Sequence, residues 1–143
     1  SYFVGVGLSE GCTAFLKRYV GRLRPNFYAM CGWDDASLSC TETKAAVIEQ
    51  ARKSFPSGHS SLSFCTMFLV SSFVVREIVL TEHARLKHSD KARASFLWFS
   101  SSKLAATVIP MSVAVFVAAS RAVDNWHHPS DIVAGTLLGL CCG

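Results

Sequence analysis

The sequence predicts an all-α helix bundle embedded in a membrane. Three observations carry that prediction. Half of the 143 residues are hydrophobic and only 17% are charged, against about 25% in soluble domains. The mean hydropathy is +0.32. Two stretches, Ser60–Val75 and Leu104–Ser120, hold no charge at all. Such a chain buries too much apolar surface to be disordered. Nine glycines, four prolines and six cysteines exclude a collagen-like chain and a dense disulfide scaffold. The net charge of +4 suits an anionic partner such as a phosphate or a lipid head group, and does not call for nucleic acid.

The elements follow in order. Residues 1–16 read as the end of one span and residues 132–143 as the start of another, so the chain is expected to be a fragment cut inside a membrane helix at each end. Residues 17–59 form a polar segment with a short helix expected within Thr41–Lys53, where Ala45, Ala46, Val47, Ile48 and Ala51 cluster. Residues 60–80 form a span of roughly 31 Å at 1.5 Å per residue, matched to a hydrocarbon core about 30 Å thick. Residues 81–103 are a basic loop on the opposite side, carrying Arg85, Lys87, Lys91, Arg93 and Lys103. Its bias suits a cytoplasmic face. Residues 104–120 form a second span, in which Pro110 is tolerated as a kink. A loop at 121–131 then leads to the last partial span. Two crossings return the chain to its starting face, so both polar segments meet at one membrane surface.

Three motifs lie on that surface. In Lys17-Arg18-Tyr19-Val20-Gly21-Arg22-Leu23-Arg24-Pro25, Lys17 and Arg24 are seven residues apart and would share a face if the segment were helical. Two cations on one face invite an anion between them, although a basic collar beside a span would look the same. In Phe55-Pro56-Ser57-Gly58-His59, Ser57 is an N-cap candidate and Gly58 lets a ligand approach the backbone. The helix start offers free N–H groups to an anion, with His59 at its mouth as a proton donor. An ordinary Pro-Ser-Gly helix start with a surface histidine is the plainer reading. In Ser120-Arg121-Ala122-Val123-Asp124-Asn125-Trp126-His127-His128-Pro129-Ser130-Asp131, Pro129 suits the first turn of a helix. Asp131, four residues after His127, is close enough to orient its imidazole for nucleophilic or base chemistry. A carboxylate stabilised by the helix dipole is the alternative for Asp131. The cysteines lack metal-site spacing and the setting is rich in cations, which argues against zinc.

Lys-x6-Arg-Pro, Pro-Ser-Gly-His and Ser-Arg-x5-His-x3-Asp, in this order and on one face, resemble the type 2 phosphatidic acid phosphatase superfamily. The run Gly21-Arg22-Leu23-Arg24-Pro25-Asn26-Phe27 is most similar to eukaryotic lipid phosphate phosphatases. The resemblance implies a fragment of a six-span phosphatase fold that removes phosphate from a lipid monoester through a phosphohistidine. It implies that His127 attacks phosphorus, Asp131 orients it, and His59 protonates the leaving alcohol. Lys17, Arg24, Arg121, Ser57 and Gly58 would bind the phosphoryl oxygens, with no metal and no cofactor. The implied partners are a lipid phosphate such as phosphatidate and the bilayer, with self-association left open. The site would face the lumen or the cell exterior, in the plasma membrane or an endomembrane.

The magnitudes fit such equipment. Phosphate monoester hydrolysis asks for accelerations of up to ~10²¹, and a general acid supplies only ~10²–10⁴ of that. Charge stabilisation and positioning must supply the rest. The same resemblance admits a vanadium haloperoxidase, with His127 holding vanadate, or a catalytically inactive membrane protein of the same fold. It also places two cysteines near the site, and for Cys31 and Cys40 both a disulfide and two free thiols remain open. Asp34 and Asp35 read as a hydrated loop rather than a metal pair, and Trp33, Trp98 and Trp126 as residues of the membrane interface.

Overall fold

Small and polar residues lie inside this bundle and large apolar ones outside, the reverse of a water-soluble core. The computed structural model describes residues 2–86 and 95–143, with side chains for all of these except 82–86, 95–103 and 107. Ser9, Thr13, Ser60, Ser61 and Ser71 are buried, whereas Phe116 is 75% and Phe3 86% exposed. Lipid tails are as apolar as leucine, so helices in a bilayer associate through close backbone approach and hydrogen bonds instead. The described helices are α1 (Tyr2–Val20), α2 (Phe27–Cys31), α3 (Ala45–Ala51), α4 (Gly58–Leu86), α5 (Ser95–Val123) and α6 (Pro129–Cys142). A two-residue hairpin pair, β1 (Trp33–Asp34) and β2 (Ser39–Cys40), completes the order. Gly58–Thr81 and Leu104–Val123 are long and apolar enough to cross a membrane.

Helix α4 is the hub, with α1, α5 and α6 all packed on it. Phe64 of α4 meets Ala114 and Ala118 of α5, and Met67, Met111, Ile132 and Leu140 close around them. On the α6 side the approach is closer still. A Cβ on Gly135 would collide with the Ser57 carbonyl, and one on Gly139 with the Ser61 carbonyl. The two glycines, four residues apart on one face of α6, therefore let the helices touch backbone to backbone. A buried hydrogen bond of 2.8 Å between Thr13 Oγ1 and Ser61 Oγ ties α1 to the same part of α4.

The helices run further than the expected spans. Segments 81–86 and 95–103, read from sequence as parts of a basic loop, are helical continuations of α4 and α5. Residues 76–109 contain neither proline nor glycine, so nothing in the sequence stops either helix where it leaves the bilayer. The loop residues Lys87, His88, Lys91 and Arg93 lie outside the described residues, as do the side chains of His83, Arg85, Trp98 and Lys103. The short helix expected within Thr41–Lys53 is α3. Cys31 and Cys40 form a disulfide. The Asp34 carboxylate accepts from the Ser37 hydroxyl and from the Ala36 and Ser37 N–H groups. It is a turn-forming residue of the hairpin.

Placing a branched side chain at the α4–α6 contact should cost far more than trimming the outer face. Gly139→Val is expected to destabilise the folded protein by about 1–3 kcal/mol, the usual cost of overpacking. Leu137→Ala, on the exposed side of α6, should change stability by only a few tenths as much. Thermal unfolding of both variants in detergent measures the difference, and equal losses would mean that the close approach is not what holds α6.

Candidate active site

The C-termini of α1 and α5 and the N-termini of α4 and α6 meet at one end of the bundle, where backbone hydrogen bonds join the three motifs. Ser54 N–H donates to the Arg22 carbonyl at 3.0 Å, Arg24 N–H to Ala51 at 2.9 Å, and Ser57 N–H to Asp131 at 2.9 Å. Helix α1 stops at Val20 because Gly21 takes a positive φ of 60°, the left-handed conformation that closes many helices. Lys17 and Arg24 therefore do not share a helical face, as the seven-residue spacing suggested. Lys17 is in the last turn of α1, and Arg24 lies beyond the turn. Its Nε donates to the Gln50 carbonyl, its Nη1 to the Trp126 carbonyl, and its guanidinium stacks 4.7 Å from the Trp126 ring centroid.

Lys17 reaches α4. Its Nζ lies 3.6 Å from where a Gly58 Cβ would stand, so the missing side chain leaves room for the ammonium. Lys17, Gly58 and His59 line one cleft of about 320 Å³ with Glu10, Thr13 and Leu62. Burial first, and then the charge of Arg24, push the Lys17 ammonium below the ordinary lysine range. The charges of Arg121, Lys17 and Arg24 all bear on His59. Ser57 is fully buried and precedes α4 as expected. Its Oγ accepts from the Ser60 hydroxyl at 3.0 Å and loosely from the Ser60 N–H at 3.4 Å. The N–H groups of Gly58 and His59 are first-turn donors without an intrahelical acceptor.

Arg121 is less free than its motif suggests. Its Nη2 pairs with Asp124 at 2.9 Å and also donates to Ser120 Oγ at 3.1 Å. It is not among the residues lining the cleft. The Arg121 carbonyl accepts from the N–H of Trp126 and, at 3.3 Å, from that of His127, so α5 sets the backbone on which His127 sits.

His127 and Asp131 are both buried, yet they do not hydrogen-bond. The nearest approach is 3.9 Å, from His127 Nδ1 to Asp131 Oδ2, and Nδ1 has no partner. The sequence expectation that Asp131 holds the imidazole directly is thus not met in this geometry. The reason is that the carboxylate is already taken. Arg22 Nη1 donates to Oδ1 at 2.6 Å, Ser54 Oγ to Oδ2 at 2.5 Å, and the His128 N–H to Oδ2 at 3.0 Å. The last of these closes the N-cap of α6, at the helix end whose dipole favours a carboxylate. Burial, followed by the charges of Arg24 and Lys17, lowers the His127 imidazole to about 4, against smaller opposing pulls from Ser54 and Asp131. His127 is therefore a neutral base at physiological pH.

Two participants escape a reading of the motifs by residue type. Arg22 sits between Gly21 and Leu23 and passes for one more basic residue. Ser54 lies outside the Pro-Ser-Gly-His run. What could have flagged them is Asp131 itself, since a carboxylate at a buried helix start requires donors. Among the residues searched, no group of three His, Cys, Asp or Glu is placed to hold a metal ion.

Comparison with known proteins follows the same lines. The model of the PAP2 superfamily matches residues 1–143. Lipid phosphate phosphatase 1 of Arabidopsis thaliana is 34% identical over 133 residues, covering 89% of this chain and 36% of that protein. The probable diacylglycerol pyrophosphate phosphatase 1 of Schizosaccharomyces pombe is 30% identical over 137 residues, covering 90% and 44%. Phospholipid phosphatase 2 of Rattus norvegicus is 28% identical over 147 residues, covering 97% and 48%. The chain spans less than half the length of these relatives, and no solved structure matches it. With three motifs joined at one end of a membrane helix bundle and a family match along its whole length, the chain belongs to the PAP2 superfamily.

Proposed function

We propose that the protein removes phosphate from a lipid phosphate monoester, without a metal ion, by way of a phosphohistidine on His127. The observation that supports this best is that a neutral, buried His127 and, separately, His59 both lie under the charges of Lys17 and Arg24 at one end of the bundle. His127 and Arg24 do not line the cleft that holds Lys17 and His59. Relatives named as lipid phosphate phosphatases point to the same substrate class. In this reading Nε2 of His127 attacks phosphorus while the bond to the lipid oxygen breaks. His59 gives its proton to the departing alkoxide, and water then cleaves the P–N bond with His59 acting as base. Lys17, Arg24, the Gly58 N–H and the Ser57 hydroxyl hold the phosphoryl oxygens, and Arg121 joins them by exchanging Asp124 for phosphate. These fixed positive groups take the place that a metal fills elsewhere. The apolar outer surfaces of the helices suit a substrate that arrives in the bilayer. The Cys31–Cys40 disulfide, next to the motifs, favours a site on the lumenal or extracellular face, where disulfides persist.

The two histidines should separate by leaving group. With the full-length protein in detergent, His127→Ala is expected to abolish turnover and the acid-labile phosphoenzyme on every substrate. His59→Ala should cost ~10²–10⁴ on a lipid phosphate and much less on p-nitrophenyl phosphate, whose phenolate leaves almost without a proton. A phosphoenzyme that still forms in His127→Ala, or equal His59→Ala losses on both substrates, would reverse the assignment.

Two solution properties follow from the same groups. Activity should persist in EDTA, and loss on chelation with recovery in Mg²⁺ would point to another phosphatase chemistry. The nucleophile must be unprotonated, and it loses its proton at about 4. With p-nitrophenyl phosphate, whose leaving group needs no proton from His59, phosphoenzyme formation should therefore hold from neutral pH down to about pH 5 and fail below that, as His127 protonates. Rapid-quench measurement across this window checks it, and a loss centred near 6.5, the ordinary imidazole value, would contradict it.

A further inference from the structure

We propose that Arg22 is a positioning residue: it fixes the Asp131 carboxylate toward itself and so decides how much of that negative charge His127 feels. This rests on the reading of His127 as the nucleophile but reaches a residue that reading leaves without a role. Asp131 is fully buried, and its Oδ1 belongs to Arg22 Nη1 at 2.6 Å. The same nitrogen donates to Ser130 Oγ at 2.7 Å, which anchors the guanidinium to the first turn of α6. The other oxygen, Oδ2, is the one nearer His127, and Ser54 and the His128 N–H both donate to it. Four donor contacts thus surround a carboxylate and its neighbouring hydroxyl, and none of them comes from the imidazole 3.9 Å away.

His127 lies among groups from every side of this end of the bundle. Lys17 faces it from α1, Arg24 from the segment after α1, the Ser54 backbone from the segment before α4, and Asp131 from α6. Arg121 of α5 holds its N–H, and His128 is its chain neighbour. Within this set, Asp131 is the group that favours a protonated imidazole through its charge, and Arg22 is the cation in direct contact with that charge. If Arg22 is removed while Asp131 stays ionised, Oδ1 loses its cation and the carboxylate charge acts on the unpartnered Nδ1 without that counterweight. An opposite charge at 4–6 Å shifts a titrating group by about 1–3 units. The nucleophile would then stay protonated to higher pH. Arg22 in this view keeps the anion close enough to orient α6 and answered enough to leave His127 neutral.

The test reads His127 directly. In full-length protein in detergent micelles, ¹³C-labelled histidine gives the imidazole titration by NMR, with the His127 signal assigned by its loss in His127→Gln. Arg22→Gln is expected to raise the His127 midpoint by about one unit, and Arg22→Lys to restore it to within a few tenths. Ser54→Ala, which frees Oδ2, should move the midpoint the same way by a smaller amount. It gives a second reading that does not depend on the Arg22→Gln protein folding well. A midpoint that stays put in both Arg22→Gln and Ser54→Ala overturns the proposal. The acid limb of kcat/KM, measured on the same samples, separates the parent reading. A midpoint that moves without the limb following upholds the role of Arg22 and removes His127 as the nucleophile. A rise in KM with an unmoved midpoint makes Arg22 a substrate contact instead, and also overturns it.

Discussion

A carboxylate taken out of water must be answered, and at Asp131 the answer organises the whole end of the bundle. Desolvating a charge costs several kcal/mol, and stranding one partner of a buried pair costs about 3–5 kcal/mol. The figure here is smaller, because Arg22 keeps 38% of its side chain in solvent. The donors that meet this demand come from far apart in the chain. One is in the segment after α1, one in the segment before α4 and one at the start of α6 itself. The Ser57 N–H on the Asp131 carbonyl adds the beginning of α4. Through one buried residue, the first and second motifs are drawn to the third.

The rest of the fold brings those segments within reach. In a bilayer, apolar side chains gain little by meeting each other, so α4 and α6 are held by shape. Gly135 and Gly139 bring α6 against the Ser57 and Ser61 carbonyls, and this contact begins one turn from Asp131. The packing of the span and the geometry of the site are continuous. The cations lie past the ends of the helices or in their last turns, where charge can be hydrated. Lys17, partly buried in the last turn of α1, carries an ammonium more easily deprotonated than an ordinary lysine.

Much of this was legible beforehand, for definable reasons. The two spans are built on the uncharged runs Ser60–Val75 and Leu104–Ser120, close to the length that bilayer thickness demands, so composition alone marks them. Pro56-Ser57-Gly58 marks the start of α4, and Pro129 that of α6. Other features were hidden because they depend on what lies across from a residue. Lys17 and Arg24 look like helix neighbours until Gly21 turns the chain. Asp131 looks like a partner of His127 four residues away until Arg22 and Ser54, more than 70 positions distant, take up both its oxygens. The ends of α4 and α5 were misplaced because hydropathy reports where the bilayer ends, and a helix need not end there.

The separation between Arg22 and Asp131, 109 positions in sequence, has a consequence for how the protein is made. Chains are synthesised and folded from the N-terminus, so α1, α4 and α5 are all in place before α6 emerges. During that interval Lys17, Arg22 and Arg24 form a cationic cluster without its buried anion, and the site does not yet exist. Arrival of α6 supplies the carboxylate and both glycines of the tight contact. This end of the bundle is therefore completed in a single late event. A nascent chain halted before α6 would hold α4 and α5 without the carboxylate that ties their site-side ends to the segment after α1.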